Sequence, residues 1–280
     1  MHTVAVLLGL GAAACFALSS VLEQHAAKQE RPTRTIDPRL LIRLLRRPLW
    51  LFGWLPDALG AGLQAVALRF GPLALVEPLL VSGLFMAVPL EAAVERRRPH
   101  RRDMLLVILG VLGLGAFLGA ANPRGGVAQP SVLAWLAAGS VLGLLVAICL
   151  IVAVRTQDAA RGLLLGIATG LLHAGAAALL KAVISRLPDH PLALLTDWHL
   201  YALVVVGGAA VTLNQNAFQG GPIAAPLTPI ALLDPFASVL IGVTVFREEL
   251  ALSGPRLVVG LLGVLAMAIG IWLARRTRSS

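Results

Sequence analysis

Four ionisable residues that could carry chemistry lie inside long apolar stretches of the sequence: Asp57, Glu77, His173 and Asp234. An ionisable side chain at membrane depth costs a few kcal/mol or more, so each is a candidate for ligand binding or proton transfer. At about 1.5 Å per helical residue, Asp57 lies about 14 Å and Asp234 about 18 Å into its helix, near the middle of a bilayer. His173 is predicted at a similar depth, and Glu77 at about 7 Å below the outer surface, beside Pro78.

The carboxylates predict one of two chemistries. Asp57, Asp234 and Glu77 offer hard oxygen ligands, which suit a divalent cation such as Mg²⁺. The same groups could instead exchange protons and couple the export of an organic solute to a proton gradient. The sequence does not separate these two mechanisms.

Structural roles are open for the same residues. Asp234 precedes Pro235 and could cap a half-helix, and Asp57 could form a bridge with Lys181 or His173. Lys181 is expected to snorkel outward to the membrane surface. Three prolines, Pro226, Pro229 and Pro235, predict that their helix is broken and exposes unpaired carbonyls.

Three amides form a second polar group. Gln64, Asn214 and Asn216 are predicted near the cytoplasmic ends of their helices, where they would line a polar vestibule or bind the solute. They could also only knit helices together through hydrogen bonds.

The sequence argues against an enzyme. It contains no HExxH motif, no Gly-x-Ser-x-Gly motif and no phosphate-binding loop. Ser19, Ser20 and Ser82 have no companion histidine at a diagnostic spacing. We therefore expect neither catalysis nor a cofactor.

Composition identifies the elements that must position these residues. The 280 residues are 58% hydrophobic and 13% charged, with a mean hydropathy of +0.85, which excludes an ordinary soluble domain and a disordered chain. The fold class expected is an all-α polytopic membrane protein with nine transmembrane helices. The apolar runs place them at about 3–24, 48–69, 72–94, 104–121, 131–154, 160–184, 198–218, 222–246 and 256–274.

The net charge of +9 has a topological explanation. With nine spans, seventeen basic residues fall on the side of the C-terminus and five on the side of the N-terminus. Basic residues concentrate on the cytoplasmic side, so the N-terminus is predicted outside and the C-terminus inside a plasma membrane. The net positive charge is therefore interpreted as an orientation signal and not as a sign of nucleic-acid binding.

A short cytoplasmic segment at about 38–47 is predicted to be an amphipathic interfacial helix. Leucine and isoleucine lie on one side of its helical wheel, and four arginines lie on the other. Such a helix lies against anionic lipid headgroups. The arginines are Arg39, Arg43, Arg46 and Arg47.

The chain matches itself at an offset of 150 residues. Gly71-Pro72-Leu73-Ala74 aligns with Gly221-Pro222-Ile223-Ala224, and Gly110 and Gly113 align with Gly260 and Gly263. Helices 1–4 and 6–9 are therefore predicted to be inverted repeats, because an offset of five spans reverses the second. The expected units are 1–125, a connecting helix 5 in 126–157, and 158–280; such repeats typify secondary transporters.

Short motifs along nearly the whole chain carry a resemblance to a known family. They are Ser19-Ser20, Trp50, Trp54, Phe70-Gly71-Pro72-Leu73-Ala74-Leu75-Val76-Glu77-Pro78, Glu95-Arg96, Ala121-Asn122-Pro123, Asn214-Gln215-Asn216, Leu227-Thr228-Pro229 and Phe246-Arg247-Glu248. This pattern resembles the NIPA-type magnesium transporters, a nine-helix branch of the drug/metabolite transporter (DMT, EamA-like) superfamily. The resemblance implies transport of Mg²⁺ or similar divalent cations. Many bacterial relatives in the wider superfamily resemble exporters of amino acids, drugs or other metabolites.

The sequence thus favours a secondary transporter working by alternating access. The alternatives are a proton-coupled exporter of an organic metabolite or drug, and a non-transporting membrane partner protein. A homodimer is compatible with the sequence.

Overall fold

The structure is a computed structural model that describes residues 2–28, 48–94, 101–187, 195–217 and 224–276. These residues are mostly helical, and two short strands pair with each other. The elements in chain order are α1 (His2–Lys28), α2 (Pro48–Phe70), α3 (Leu73–Leu80), α4 (Ser82–Val94), α5 (Arg101–Ala121), β1 (Arg124–Gly125), α6 (Val132–Val154), α7 (Asp158–Arg186), α8 (Trp198–Ala217), α9 (Ala224–Thr244), β2 (Glu248–Glu249) and α10 (Pro255–Arg276).

The all-α prediction is confirmed, and each predicted helix corresponds to an observed one. The third predicted helix is divided at Val81 into α3 and α4. Pro78 lies inside α3 and lacks an N–H group, and the chain tightens after it, with Val81 N donating to Pro78 O at 3.2 Å. Ser82 Oγ also donates to Leu79 O at 2.6 Å. The helix that carries Glu77 is therefore only eight residues long.

The prediction of a broken eighth helix is wrong. Helix α9 runs without interruption from Ala224 to Thr244 and contains both Pro229 and Pro235. A proline removes one donor from the helical ladder, but it need not end a helix that is held by its neighbours. Here α9 packs along α7 and against α3.

The helices have the length and composition of a multi-pass membrane protein. In the part of the chain that the structure describes, four helical stretches are long and apolar enough to cross a bilayer: His2–Leu22, Leu73–Val94 (α3 and α4 together), Val132–Val154 and Ala159–Arg186, with 21, 22, 23 and 28 residues. Many large apolar side chains point away from the rest of the protein; on α6, Leu133 is 77% and Val154 is 86% exposed. Such an apolar surface suits contact with lipid rather than water.

The helices pair in a regular pattern. In the first part of the chain α1 packs on α2 and on α3 and α4, and in the second part α7 packs on α8 and on α9. Helix α5 packs on α10, and α6 packs on α7. The largest apolar core lies among α2, α3, α7 and α9.

Two of these contacts bring backbones together at glycine. A Cβ at Gly83 would lie 2.7 Å from Ala13 O, so α4 can approach α1 only without a side chain there. A Cβ at Gly113 would lie 2.7 Å from Gly263 O, and one at Gly263 would lie 2.6 Å from Gly113 O. Small residues at these positions allow the close packing that membrane helices use.

One end of the bundle is closed by a two-stranded ladder. Strands β1 and β2 pair antiparallel, with Arg124 opposite Glu249 and Gly125 opposite Glu248. We call this end the ladder end; it also holds the starts of α3, α8 and α10 and the end of α7. The other end, where α6 gives way to α7, is called the opposite end.

The predicted interfacial helix at 38–47, with its four arginines, lies outside the described residues, as does Glu95-Arg96.

Candidate functional site

Glu77 and Gln64 form the first part of a central polar site. Glu77 lies on the short helix α3 and is 4% exposed. Gln64, on α2, donates from Nε2 to Glu77 Oε1 at 2.9 Å. The prediction that Gln64 lines a vestibule with Asn214 and Asn216 stays a prediction; the structure places a partner for its amide on α3. The pairing was invisible to the sequence because it depends on how α2 and α3 are rotated.

Asp234, His173 and Ser238 form the second part. His173 Nδ1 on α7 lies 3.9 Å from Asp234 Oδ2 on α9, and Ser238 Oγ donates to Asp234 Oδ1 at 3.5 Å. The His173 and Asp234 side chains are 34% and 24% exposed, so this part of the site is partly open. His173 pairs with Asp234 rather than with Asp57.

The two parts face each other across the bundle. Helix α3, which carries Glu77, packs on α9, which carries Asp234, and the charge of Glu77 acts on Asp234. Two carboxylates in a weakly polar interior repel each other, and a cation or a proton between them relieves that repulsion. This central site of Gln64, Glu77, His173 and Asp234 can therefore hold positive charge.

Asp57 lies on the same helix as Gln64, two turns nearer the opposite end. Its side chain is exposed and has no hydrogen-bond or ion-pair partner among the described residues. The spacing of seven residues puts Asp57 on the same face of α2 as Gln64. Within the described ranges, no contact joins Asp57 to the central site.

The two asparagines lie near the end of α8. Asn216 Nδ2 donates to Thr212 O of its own helix at 2.8 Å, and Asn214 is half-buried. Neither makes a described contact with the central site.

A buried ion pair that sequence reasoning missed lies at the ladder end. Lys181 Nζ donates to Glu248 Oε1 at 2.5 Å, and the two residues are only 7% and 2% exposed. Lys181 also lies 4.9 Å from the centre of the Phe246 ring. The expectation that Lys181 snorkels outward is wrong, because a carboxylate from 67 residues away lies within the bundle to receive it.

Glu248 also caps a helix. Its Oε1 accepts from Leu73 N at 2.7 Å and its Oε2 from Ala74 N at 2.9 Å, at the first turn of α3. The N-cap residue Pro72 makes no side-chain cap bond of its own. The carboxylate thus satisfies two free N–H groups and meets the positive end of the helix dipole. In the sequence, Glu248 stands out only as the acidic residue of the motif Phe246-Arg247-Glu248. Residue spacing could not predict that it pairs with Lys181 and caps α3.

A second network at the ladder end joins α7 to α8. Arg186 forms an ion pair with Asp197, and Asp197 Oδ1 accepts from His199 N at 3.1 Å and lies 2.6 Å from His199 Nδ1. Burial opposes ionisation of Asp197, but the hydrogen bonds from His199 and Arg186 outweigh it, so its pKa lies below the ordinary value. Trp135 of α6 packs edge-on against His199, with ring centres 5.3 Å apart.

A metal centre of the usual protein-bound kind is not found among the described residues. No group of three His, Cys, Asp or Glu side chains there could hold a metal ion. The predicted ligands Asp57, Glu77 and Asp234 therefore do not form such a group among these residues.

The comparisons with known proteins support a distant relationship only. The chain is 24% identical over 249 residues to an uncharacterized protein of Corynebacterium glutamicum, covering 89% of this chain and 86% of that protein. No protein-family model matches the chain, and no solved structure matches it. The relationship extends over most of both proteins.

Proposed function

We propose that this protein is an integral membrane secondary transporter that moves a small solute by alternating access. The observation that carries the proposal is the central site, where Gln64 and Glu77 face His173 and Asp234. Two elements before the connecting helix α6 and two elements after it supply these side chains. Ionisable groups at this depth are costly and mark solute or proton pathways.

The pattern of helix packing supports an inverted repeat. The packing of α1 on α2, α3 and α4 resembles that of α7 on α8 and α9. Gly113 and Gly263 are separated by 150 residues in sequence and contact each other reciprocally across α5 and α10. Equivalent residues meet in this way beside a two-fold axis. Transporters built from inverted repeats have their solute site between the repeats.

The charge of the site favours a positively charged cargo. Mg²⁺ is bound through one or two carboxylates and keeps several of its waters, so Glu77 and Asp234 would suit a partly hydrated divalent ion as substrate. The second candidate is a proton-coupled exporter of an organic metabolite or drug, in which the same two carboxyls and His173 carry protons. The described residues offer no group of three ligands, and neither the hydrated ion nor the proton-coupled exporter needs one.

The predicted topology would place the ladder end outside the cell and the opposite end in the cytoplasm. Asp57, on the face of α2 that leads to Gln64, would then attract cations at the cytoplasmic mouth of the site. Asn214 and Asn216 would lie near the same mouth.

Flux into proteoliposomes tests the proposal. In one experiment, Mg²⁺ entry is followed with an indicator trapped inside the liposomes. In the other, candidate organic cations are added and proton movement is followed with a trapped pH dye. We expect Glu77→Gln and Asp234→Asn to reduce the flux to that of protein-free liposomes, because each removes half of the facing pair. Asp57→Asn is expected to raise KM, because this carboxylate would attract cations to the mouth of the site. It should leave kcat unchanged, because the carboxylate makes no described contact with the site.

Glu249→Gln is the matched control, because Glu249 is an exposed acid on β2 without a described partner. It should transport like the unmodified protein. Mg²⁺ flux without proton coupling selects the divalent-cation reading, and proton-coupled organic flux selects the exporter. Normal flux in both central variants would refute the assignment of the site, and the absence of every flux in a folded protein would favour a non-transporting membrane partner.

A further inference from the structure

A layer of buried apolar side chains lies on the ladder side of the central site. It comes from the four helices that carry the site and, for Phe246, from the segment that follows α9. We call it the apolar plug; it consists of Leu68, Leu73, Val76, Ala174, Ala178, Ile241 and Phe246.

The plug lies between the central site and the Lys181–Glu248 pair. Along α7, Lys181 is eight residues beyond His173 in the direction of the ladder end, which is about 12 Å of helix. Along α3, the residues that Glu248 caps are three and four positions from Glu77, about 5–6 Å of helix. The ion pair therefore lies beyond the plug, nearer the ladder end than the central site.

Access to the site differs between its two sides. On the ladder side, Leu73, Val76 and Phe246 are fully buried. Within the site His173 and Asp234 are partly exposed, and Asp57, two turns nearer the opposite end, is exposed. Among the described residues, the ladder side of the site is therefore the buried side.

The Lys181–Glu248 pair belongs to the second half of the chain and holds the start of α3, which belongs to the first half and which a rocking motion would separate from it. Lys181 also donates to Gly71 O at 3.3 Å, so one ammonium binds both the loop before α3 and the carboxylate that caps α3. Gly242 leaves room for this carboxylate, since a Cβ there would collide with it. By contrast, the Arg186–Asp197 pair at the same end connects only the neighbouring helices α7 and α8.

We propose that Lys181 and Glu248 form a gate that holds the ladder end of the central site closed. Closure holds the start of α3 against Lys181 of α7 and Glu248, which follows α9; opening breaks these contacts, frees the first turn of α3 and parts the plug. This gate rests on the proposed transport function, since only alternating access requires the ladder end to open. The unbroken pair identifies the structure as the state closed at the ladder end.

Site-directed thiol labelling in sealed vesicles tests the gate without any solute. The background replaces the native Cys15 and Cys149 by alanine, and His173→Cys supplies one thiol at the partly exposed face of the site. A small charged methanethiosulfonate that does not cross membranes is applied from either side. Ala128→Cys, at an exposed position near β1, identifies the side on which the ladder end lies.

With the native pair, we expect the His173→Cys thiol to react from the opposite side and to be protected from the ladder side. Lys181→Met combined with Glu248→Gln removes both charges, so neither partner is left buried alone. We expect ladder-side labelling to become at least about tenfold faster in this double variant, as the closed population falls. Asp197→Asn, which disturbs the other ladder-end pair, should leave the labelling rate within about twofold of the native rate.

Unchanged ladder-side protection in the double variant, with labelling from the opposite side retained, would overturn the gate. Equal acceleration by Asp197→Asn would also overturn it, because the effect would then be a general loosening of that end. If the double variant does not assemble in the membrane, Glu248→Gln alone decides by the same two rates. The labelling assay contains no solute, so it tests the gate alone. The flux assay tests transport, and failure of one proposal is therefore distinguishable from failure of the other.

Discussion

Replacing Gly113 by alanine is expected to lower the melting temperature of the purified protein, although the same change would stabilise an isolated helix. A Cβ at Gly113 would lie 2.7 Å from Gly263 O and 2.8 Å from Met267 N. Non-bonded carbon contacts are favourable at about 3.5–4.0 Å, so α5 and α10 must separate by several tenths of an ångström. Both atoms belong to helical backbone, which cannot swing aside as a side chain can.

The expected loss follows from two opposing contributions. Overpacking typically costs about 1–3 kcal/mol, and contact with rigid backbone places this site in the upper half of that range. Alanine returns up to about 1 kcal/mol of helix propensity. The net loss of about 1–2 kcal/mol corresponds to a melting temperature lower by about 3–6 °C.

Gly115→Ala is the matched control for this experiment. Gly115 lies two residues farther along the same helix, and a Cβ there would meet nothing within 4 Å. Its melting temperature should be unchanged or higher. Melting is followed by tryptophan fluorescence in one detergent for both variants; equal melting temperatures for Gly113→Ala and Gly115→Ala would refute the close approach of α5 and α10.

The reciprocal change extends the test. Gly263→Ala should cost a similar amount, because its Cβ would lie 2.6 Å from Gly113 O and 2.7 Å from Phe117 N. Once α5 and α10 have separated for one methyl group, the second meets less resistance. The double variant should therefore lose less stability than the sum of the single variants, as expected for residues in contact.

Two further predictions concern the ladder end. Lys181→Met leaves Glu248 buried without its cation, a change that typically costs about 3–5 kcal/mol of stability. Adding Glu248→Gln removes the isolated charge and should restore part of the melting temperature. A double variant that melts below the single variant Lys181→Met would contradict this. Burial would raise the pKa of Asp197, but the hydrogen bonds from His199 and Arg186 outweigh it and lower the pKa. The ionised Asp197 therefore stabilises the fold above the ordinary aspartate pKa, and this stabilisation is lost as the pH falls through the lowered pKa. The melting temperatures of the unmodified protein and Asp197→Asn should therefore differ most above about pH 5 and converge in acid, and a gap that does not change with pH would count against the network.

The helices and several candidate residues could be predicted from the sequence because both follow from local patterns. Apolar runs long enough to cross a bilayer must be helical, since no other open structure satisfies their backbone groups there. Glu77, His173 and Asp234 were identifiable because an ionisable residue is conspicuous in such a run. Asp57 was conspicuous for the same reason, yet it makes no described contact with the other three.

The errors have a common physical cause. Pro229 and Pro235 predicted a broken helix, but neighbouring helices hold α9 continuous, and the break falls at Val81 instead. Lys181 was assigned to the membrane surface because a lone lysine usually reaches for water. In each case the outcome depends on what packs beside the residue.

The sequence by itself determined that the described elements are helical and where most of these helices begin and end, because hydropathy is a property of each segment alone. Only the tertiary structure decided which polar groups meet. Glu248 caps the first turn of α3 from 175 residues away, and Lys181 reaches Glu248 rather than lipid. Such partners depend on how each helix is rotated about its axis and where the loops return the chain, and no residue spacing within one helix records either.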